Sequence, residues 1–254
     1  MRWRSPAPPA PYSELYHADA FGPNCIQKRY AKGTDNRPWA KEYIVDGESE
    51  FSEDCLFLNV WTAAKSADER MPVLFFIHGG GFNEGSGSVP LYDGAALARR
   101  GIVVVNINYR VKALGLMAHP ELSAESPTSA STNYAIEDMI AALGWVRDNI
   151  AAFGGDPSQV TISGQSAGAS AVHSLIASPQ AKGLFARAIA QSGSGRRRTP
   201  ATLAEAEDNG LRFMKDAGVS SLAEMRALSA EDLLAADVTV FRFHPDRRRR
   251  RRPG

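Results

Sequence analysis

The 254-residue sequence predicts an α/β fold, a mostly parallel sheet with helices on both faces, incomplete at both ends. Three observations carry this. Apolar runs at 73–77 and 102–108 and a β-branched run at 160–162 have the continuous character of strands buried on both faces. The segment 134–152 places Ile136, Ile140, Leu143, Val146 and Ile150 at spacings of three and four, an amphipathic helix. Strand-like and helix-like stretches alternate along the chain, the order that builds parallel sheets.

Taken in order, residues 1–46 are rich in Pro, Tyr, Trp and Gly without a sustained period and read as an irregular surface segment. CLFLNVW at 55–61 has the apolar and aromatic content of a strand. A charged connection at 62–71 leads to the strand beginning at Val73. Tyr92, Asp93 and Gly94 form a turn, followed by a short helix at 95–99. Tyr109 and Arg110 end the next strand, and 111–132 reads as a long loop with Gly, Pro and Ser. Gly154, Gly155, Asp156 and Pro157 stop the amphipathic helix before the strand at Val160. Residues 185–190 suit a further strand, and 202–215, 222–228 and 231–236 suit short polar helices. The expected division is therefore a partial catalytic core over 1–195, a partial helical cap over 196–240 and a disordered Arg-rich tail over 241–254.

Composition excludes several classes. No apolar run approaches the ~20 residues of a membrane span, and the opening Met1-Arg2-Trp3-Arg4 lacks a secretory apolar region. Seven of the 29 basic residues lie at Arg242 and Arg247–Arg252; without 241–254 the body has 22 basic and 27 acidic residues, a net of −5. Polyanion binding through Arg247–Arg252 or Arg196–Arg198 would be incidental, since no nucleic-acid module accompanies these runs. No cluster has metal-ligand spacing, so neither metal nor organic cofactor is expected. Cys25 and Cys55 could be buried thiols or a bridge closing a loop of about 30 residues, and their spacing does not decide between the two.

Two stretches carry chemistry. In VTISGQSAGASAVHSL at 160–175, strand, sharp turn and helix follow one another, with Ser166 at the apex. Gly164 and Gly168 lie two residues either side of Ser166, where side chains would block so tight a turn. The geometry lifts the hydroxyl out of the sheet and aims the Ala167 amide at the same point. The bland alternative is a helix following a Gly/Ser-rich turn. Against it stands PVLFFIHGGGFNEGSG at 72–87, in which a buried strand empties into His78-Gly79-Gly80-Gly81. Consecutive glycines free backbone N–H groups to face a ligand, and such donors can hold the oxyanion of an acyl-transfer intermediate. Together the two point to acyl transfer.

The residues resemble the type-B carboxylesterases, the cholinesterase-like branch of the α/β-hydrolase fold. The likeness runs over 2–194 through FGPNCIQ, SEDCLFLNVW, PVLFFIHGGGFNEGSG, VVNINYRVKALGLMAHPEL, NYAIEDMIAALGWVRDNIAAFGGDP and VTISGQSAG. The resemblance implies that Ser166 is the acyl-forming nucleophile acting on a carboxylic ester. It also implies that Gly80, Gly81 and Ala167 supply the oxyanion-hole amides, and that Cys25 and Cys55 form the family's first disulfide in an exported protein. A shorter lipase branch also carries HGGGF, but SEDCLFLNVW and FGGDP follow the type-B pattern.

The departures shape the expectation. Met1 falls inside the domain; Gln165 replaces the usual Glu; Thr132 and Ala135 replace glycines of an S-G-N-Y-G segment. The triad's acid and histidine should follow the serine, yet the family places them farther downstream. His173, seven residues along the helix, lies about 10 Å from Ser166 at 1.5 Å per residue. His244 sits in the arginine tail, while His78 and His119 precede the serine; His78 reads as shaping the glycine loop. The sequence thus reads as a piece of an esterase lacking the triad acid and histidine. The competing reading is a catalytically inactive adhesion or scaffolding domain, against which Ser166 and the intact glycine loop argue. Acyl and alcohol specificity and oligomeric state are not legible.

Overall fold

The computed structural model describes residues 2–9, 13–29, 45, 49–193 and 201–236. The Arg-rich tail expected at 241–254 and the Arg196–Arg198 run lie outside them. A five-stranded sheet forms the centre, built from β3 (Leu58–Trp61), β4 (Met71–Ile77), β5 (Val103–Ile107), β6 (Gly155–Gln165) and β7 (Arg187–Gln191) in the order β3-β5-β4-β6-β7. Only β3 runs antiparallel, paired to β5 from Leu58 opposite Ile107 to Trp61 opposite Val104. The other pairs are parallel, with Val73 opposite Val103 and Val160, and Gln165 opposite Gln191.

Alternation along the strands decides what each face does. Val73, Phe75 and Ile77, with Val103, Val105 and Ile107 and then Val160 and Ile162, are buried together beneath α4 (Tyr134–Asn149) and α5 (Ala167–Ala177). Met139, Leu143, Val146 and Leu175 close that core, as the helical spacing predicts. Burying each such side chain contributes about 1.5–3 kcal/mol. On the opposite face Leu74 and Phe76 stay half-buried. There Gly94, just before α1 (Ala95–Ala98), approaches Val104 and Trp61, and Tyr92 packs on Phe76 at 4.7 Å. All five residues of β7 are exposed.

Three readings need correction. The stretch 111–132 is not a loop throughout: it holds α2 (Lys112–Leu116) and α3 (Pro120–Glu125). His119 caps α3, its Nδ1 accepting the Glu121 N–H at 3.2 Å, with Pro120 at the first helical position. Helices this short leave little periodic signal. The segment 1–46 is not wholly irregular either. Its β1 (Asn24–Cys25) pairs in parallel with β2 (Phe51–Ser52). The strand leading to Ser166 begins at Gly155, five residues early, because an irregularity in register between Met71 and Val73 lets the Gly-Gly-Asp-Pro turn join the ladder.

A second core joins distant parts of the chain. Trp3, Ile26, Met117, Leu122 and Tyr134 pack with Phe213, Met214, Leu222, Met225 and Leu233 of α6 (Leu203–Asp216), α7 (Leu222–Ala227) and α8 (Ala230–Ala236). Between the cores, Arg110 forks onto Asp138 with Nη2–Oδ1 2.6 Å and Nε–Oδ2 2.8 Å, tying the end of β5 to α4. Thr132, one of the residues replacing a glycine, has φ +91°, and its Oγ1 donates to the Leu116 carbonyl at 2.6 Å, offsetting part of the strain. Among the described residues no helix is long and apolar enough to cross a membrane.

Candidate active site

Ser166 stands between β6 and α5 with φ 55° and ψ −113°, a conformation costing an L-residue roughly 1–3 kcal/mol. The surroundings hold it there. Its N–H donates to the Gln191 carbonyl at 2.8 Å, and its carbonyl accepts from Ser170 N at 3.1 Å. Gly164 and Gly168 are required by close approach: a Cβ on Gly164 would strike the Gly168 carbonyl group, and one on Gly168 would strike the Ile77 carbonyl oxygen. The strand–turn–helix reading of 160–175 therefore holds. Gly193 was not singled out by sequence, yet it packs so tightly on the Ser166 carbonyl oxygen that a Cβ there would collide. Its surroundings, Ser-Gly-Ser-Gly, resemble any loop, so no local signal marks it.

The glycine loop leaves β4 at Ile77 and passes directly beneath the serine. A Cβ built on Gly79 would lie 3.3 Å from Ser166 Cβ and 2.6 Å from Gln165 Oε1. Gly80 turns back with φ +103°, and its carbonyl accepts from Asn83 N (3.0 Å) and Glu84 N (3.2 Å). A side chain at Gly80 would overlap the Glu84 carbonyl, so only glycine permits this turn. Among the described residues the N–H groups of Gly80, Gly81 and Ala167 donate to no protein acceptor. Gly80 and Gly81 remain partly open to solvent while Ala167 is buried. Unused N–H groups at a turn and a helix start favour a negatively charged oxygen.

His78 is a strut. Its ring stacks on Tyr109 at 4.1 Å, and Nδ1–H donates to the Gly79 carbonyl at 2.8 Å. Complete burial lowers its pKa to about 4, against a smaller opposing effect of the Gly79 hydrogen bond, so the ring is neutral at physiological pH. Burial first, and nearby Tyr92 second, raise the Tyr109 pKa. The Tyr109 hydroxyl donates to the His78 carbonyl at 2.9 Å. Among the described residues no histidine is hydrogen-bonded to Ser166, whose Oγ makes no hydrogen bond to any of them; His119 is committed to capping α3, and His173 is exposed on α5. His244 lies outside the described residues.

Cys25 and Cys55 are disulfide-bonded, as the resemblance implies. No group of His, Cys, Asp or Glu among the described residues could hold a metal ion. A cavity of about 1150 Å3 opens between the N-terminal segment, β3 and α4, bounded by Phe21, Phe57, Trp61 and Trp145. Ser166 does not line it, and the chemistry of the site outweighs the size of that cavity.

The profile of the Carboxylesterase family matches residues 1–250. The chain belongs to the carboxylesterase family. It is 45% identical over 218 residues to the fumonisin B1 esterase of Sphingopyxis macrogoltabida, covering 85% of this chain and 38% of that protein. It is 38% identical over 238 residues to the para-nitrobenzyl esterase of Bacillus subtilis (strain 168), covering 92% of this chain and 45% of the relative. Among solved structures, the carboxylesterase of Geobacillus stearothermophilus aligns with a TM-score of 0.78 at 40% identity, over 93% of this chain and 46% of that one. The carboxylesterase α/β-hydrolase fold is thus the fold of this chain. The chain spans less than half the length of these relatives.

Proposed function

We propose that this chain carries the acyl-transfer half of a carboxylic ester hydrolase. Ser166 Oγ attacks the ester carbonyl carbon and loses its proton, and the carbonyl oxygen takes up the charge, facing the amides of Gly80, Gly81 and Ala167. Collapse breaks the bond to the alcohol, which leaves with a proton, and water later cleaves the acyl-serine to release the acid. One such amide typically contributes about 3–4 kcal/mol of transition-state stabilisation. The observation carrying the reading is the pairing of a strained, half-buried serine with three N–H groups that no acceptor among the described residues uses.

The triad acid and histidine belong, on this reading, to the part of the relatives' length that the match does not span. That the Ser166 hydroxyl has no histidine partner among the described residues supports that assignment. The chain alone then acylates and turns over slowly or not at all. On the same reading α6–α8 form part of a helical cap over the catalytic core. The test is p-nitrophenyl ester hydrolysis with mass analysis of the Ser166 peptide. An acyl adduct that accumulates on Ser166 and is absent from Ser166→Ala is expected. Serine-dependent turnover matching a complete esterase would refute the division of the triad, and absence of any adduct would refute the acyl-transfer reading.

A further inference from the structure

We infer that Gln27 is a positioning residue for the glycine loop, a carboxamide clamp through which the disulfide-bonded N-terminal segment sets the stance of the amides beneath Ser166. The inference rests on the reading of that loop given under Proposed function. Gln27 is 3% exposed and lies 58 residues from its partner. Its Oε1 accepts the Gly85 N–H at 2.7 Å, while Nε2 donates to the Gly85 carbonyl at 2.9 Å and to the Cys25 carbonyl at 3.0 Å. Both donors and the acceptor are committed, so the amide cannot flip without setting donor against donor. Gly85 belongs to no strand, and the Gln27 side chain serves it as a strand's peptide group would.

From Gly85 the constraint passes by contact to the serine. Gly85, with φ +117°, is packed so closely on His78 that a Cβ there would strike the ring and stand 2.8 Å from the Gly79 carbonyl. Gly79 in turn abuts Ser166 Cβ. The clamp itself is anchored. Cys25, two residues before Gln27, is bonded to Cys55, and Asn108 joins the same framework. Its Nδ2 donates to the Cys55 carbonyl at 3.1 Å, and its Oδ1 accepts from Gly87 N and Ser86 Oγ, both at 2.9 Å. Gln27 and Asn108 therefore hold successive residues of the loop, Gly85 by the one and Ser86 and Gly87 by the other. Donors must sit within a fraction of an ångström of the developing oxyanion to act on it, so a loop released at Gly85 lowers the chemical step more than binding.

The test compares wild type with Gln27→Met, which keeps volume and removes every hydrogen bond. Phosphonylation of Ser166 by a fluorophosphonate is resolved into reversible binding and the bond-forming step. At least a tenfold loss in the bond-forming step with unchanged binding is expected; equal loss in both, or none, would overturn the clamp. Amide hydrogen exchange decides the matter independently of reactivity. In wild type the Gly85 amide should be protected although it lies in a loop, and in Gln27→Met exchange should rise at least tenfold across 79–88 with β5 and α5 unchanged. An unprotected wild-type Gly85 amide, or a variant in which all segments exchange faster together, would overturn it. A wild-type chain that takes no fluorophosphonate removes the acyl-transfer reading and leaves exchange to judge Gln27.

Discussion

Gly168 Cα faces the carbonyl oxygen of Ile77 with no room for a methyl group, so α5 and β4 meet through bare backbone just below Ser166. The collision partner is main chain, which cannot rotate aside as a side chain can. Gly168→Ala should destabilise the protein by about 3 kcal/mol, the upper range for overpacking. Urea unfolding measures this, and a loss under 1 kcal/mol would show that the helix can shift away from the strand.

Arg110 and Asp138 form a bidentate pair with side chains 10% and 0% exposed. Asp138 also accepts the Arg110 backbone N–H at 3.0 Å. Removing one partner leaves a buried charge, so Asp138→Ala should cost about 3–5 kcal/mol. Replacing both residues by apolar ones of similar size should cost far less, and a double-mutant cycle in urea unfolding separates the two cases.

His78 makes stability depend on pH. Its folded pKa of about 4 lies below its ordinary 6.5, so between these values the unfolded chain binds the extra proton. Stability is then fully present above pH 6.5 and falls as the pH drops toward 4, by about 3 kcal/mol for this one group. Unfolding free energies at pH 7 and 4.5 should show a smaller difference in His78→Gln than in wild type. Identical differences would show that His78 titrates normally.

The Cys25–Cys55 bridge closes a 30-residue separation. In the chain-entropy model its loss costs about 3–4 kcal/mol. The double variant Cys25→Ser, Cys55→Ser should show that drop in guanidinium unfolding, with no change for wild type in the absence of reductant.

The parts legible in sequence were those where one local pattern fixes the geometry. The buried strands, α4 and the turn at Ser166 each follow from a run of residues whose periodicity or glycine placement admits few backbones. The bridge between Cys25 and Cys55 came only through resemblance, because spacing cannot say which thiols meet. The helices α2 and α3 escaped notice because one or two turns show no period, and the His119–Pro120 capping signal is easily taken for a loop. Gln27 and Gly193 act through contacts far away in sequence. A glutamine two residues after a cysteine gives no hint that its carboxamide will pair with Gly85, and only tertiary packing supplies that information.

The central claim concerns one oxygen atom and the amides beneath it. Mass analysis of the Ser166 peptide after incubation with a fluorophosphonate tests it most directly. The account predicts a stoichiometric adduct confined to Ser166, abolished in Ser166→Ala and slowed when Gly80→Ala displaces the loop. A wild-type chain that stays unmodified, or an adduct that persists on other residues in Ser166→Ala, would contradict it.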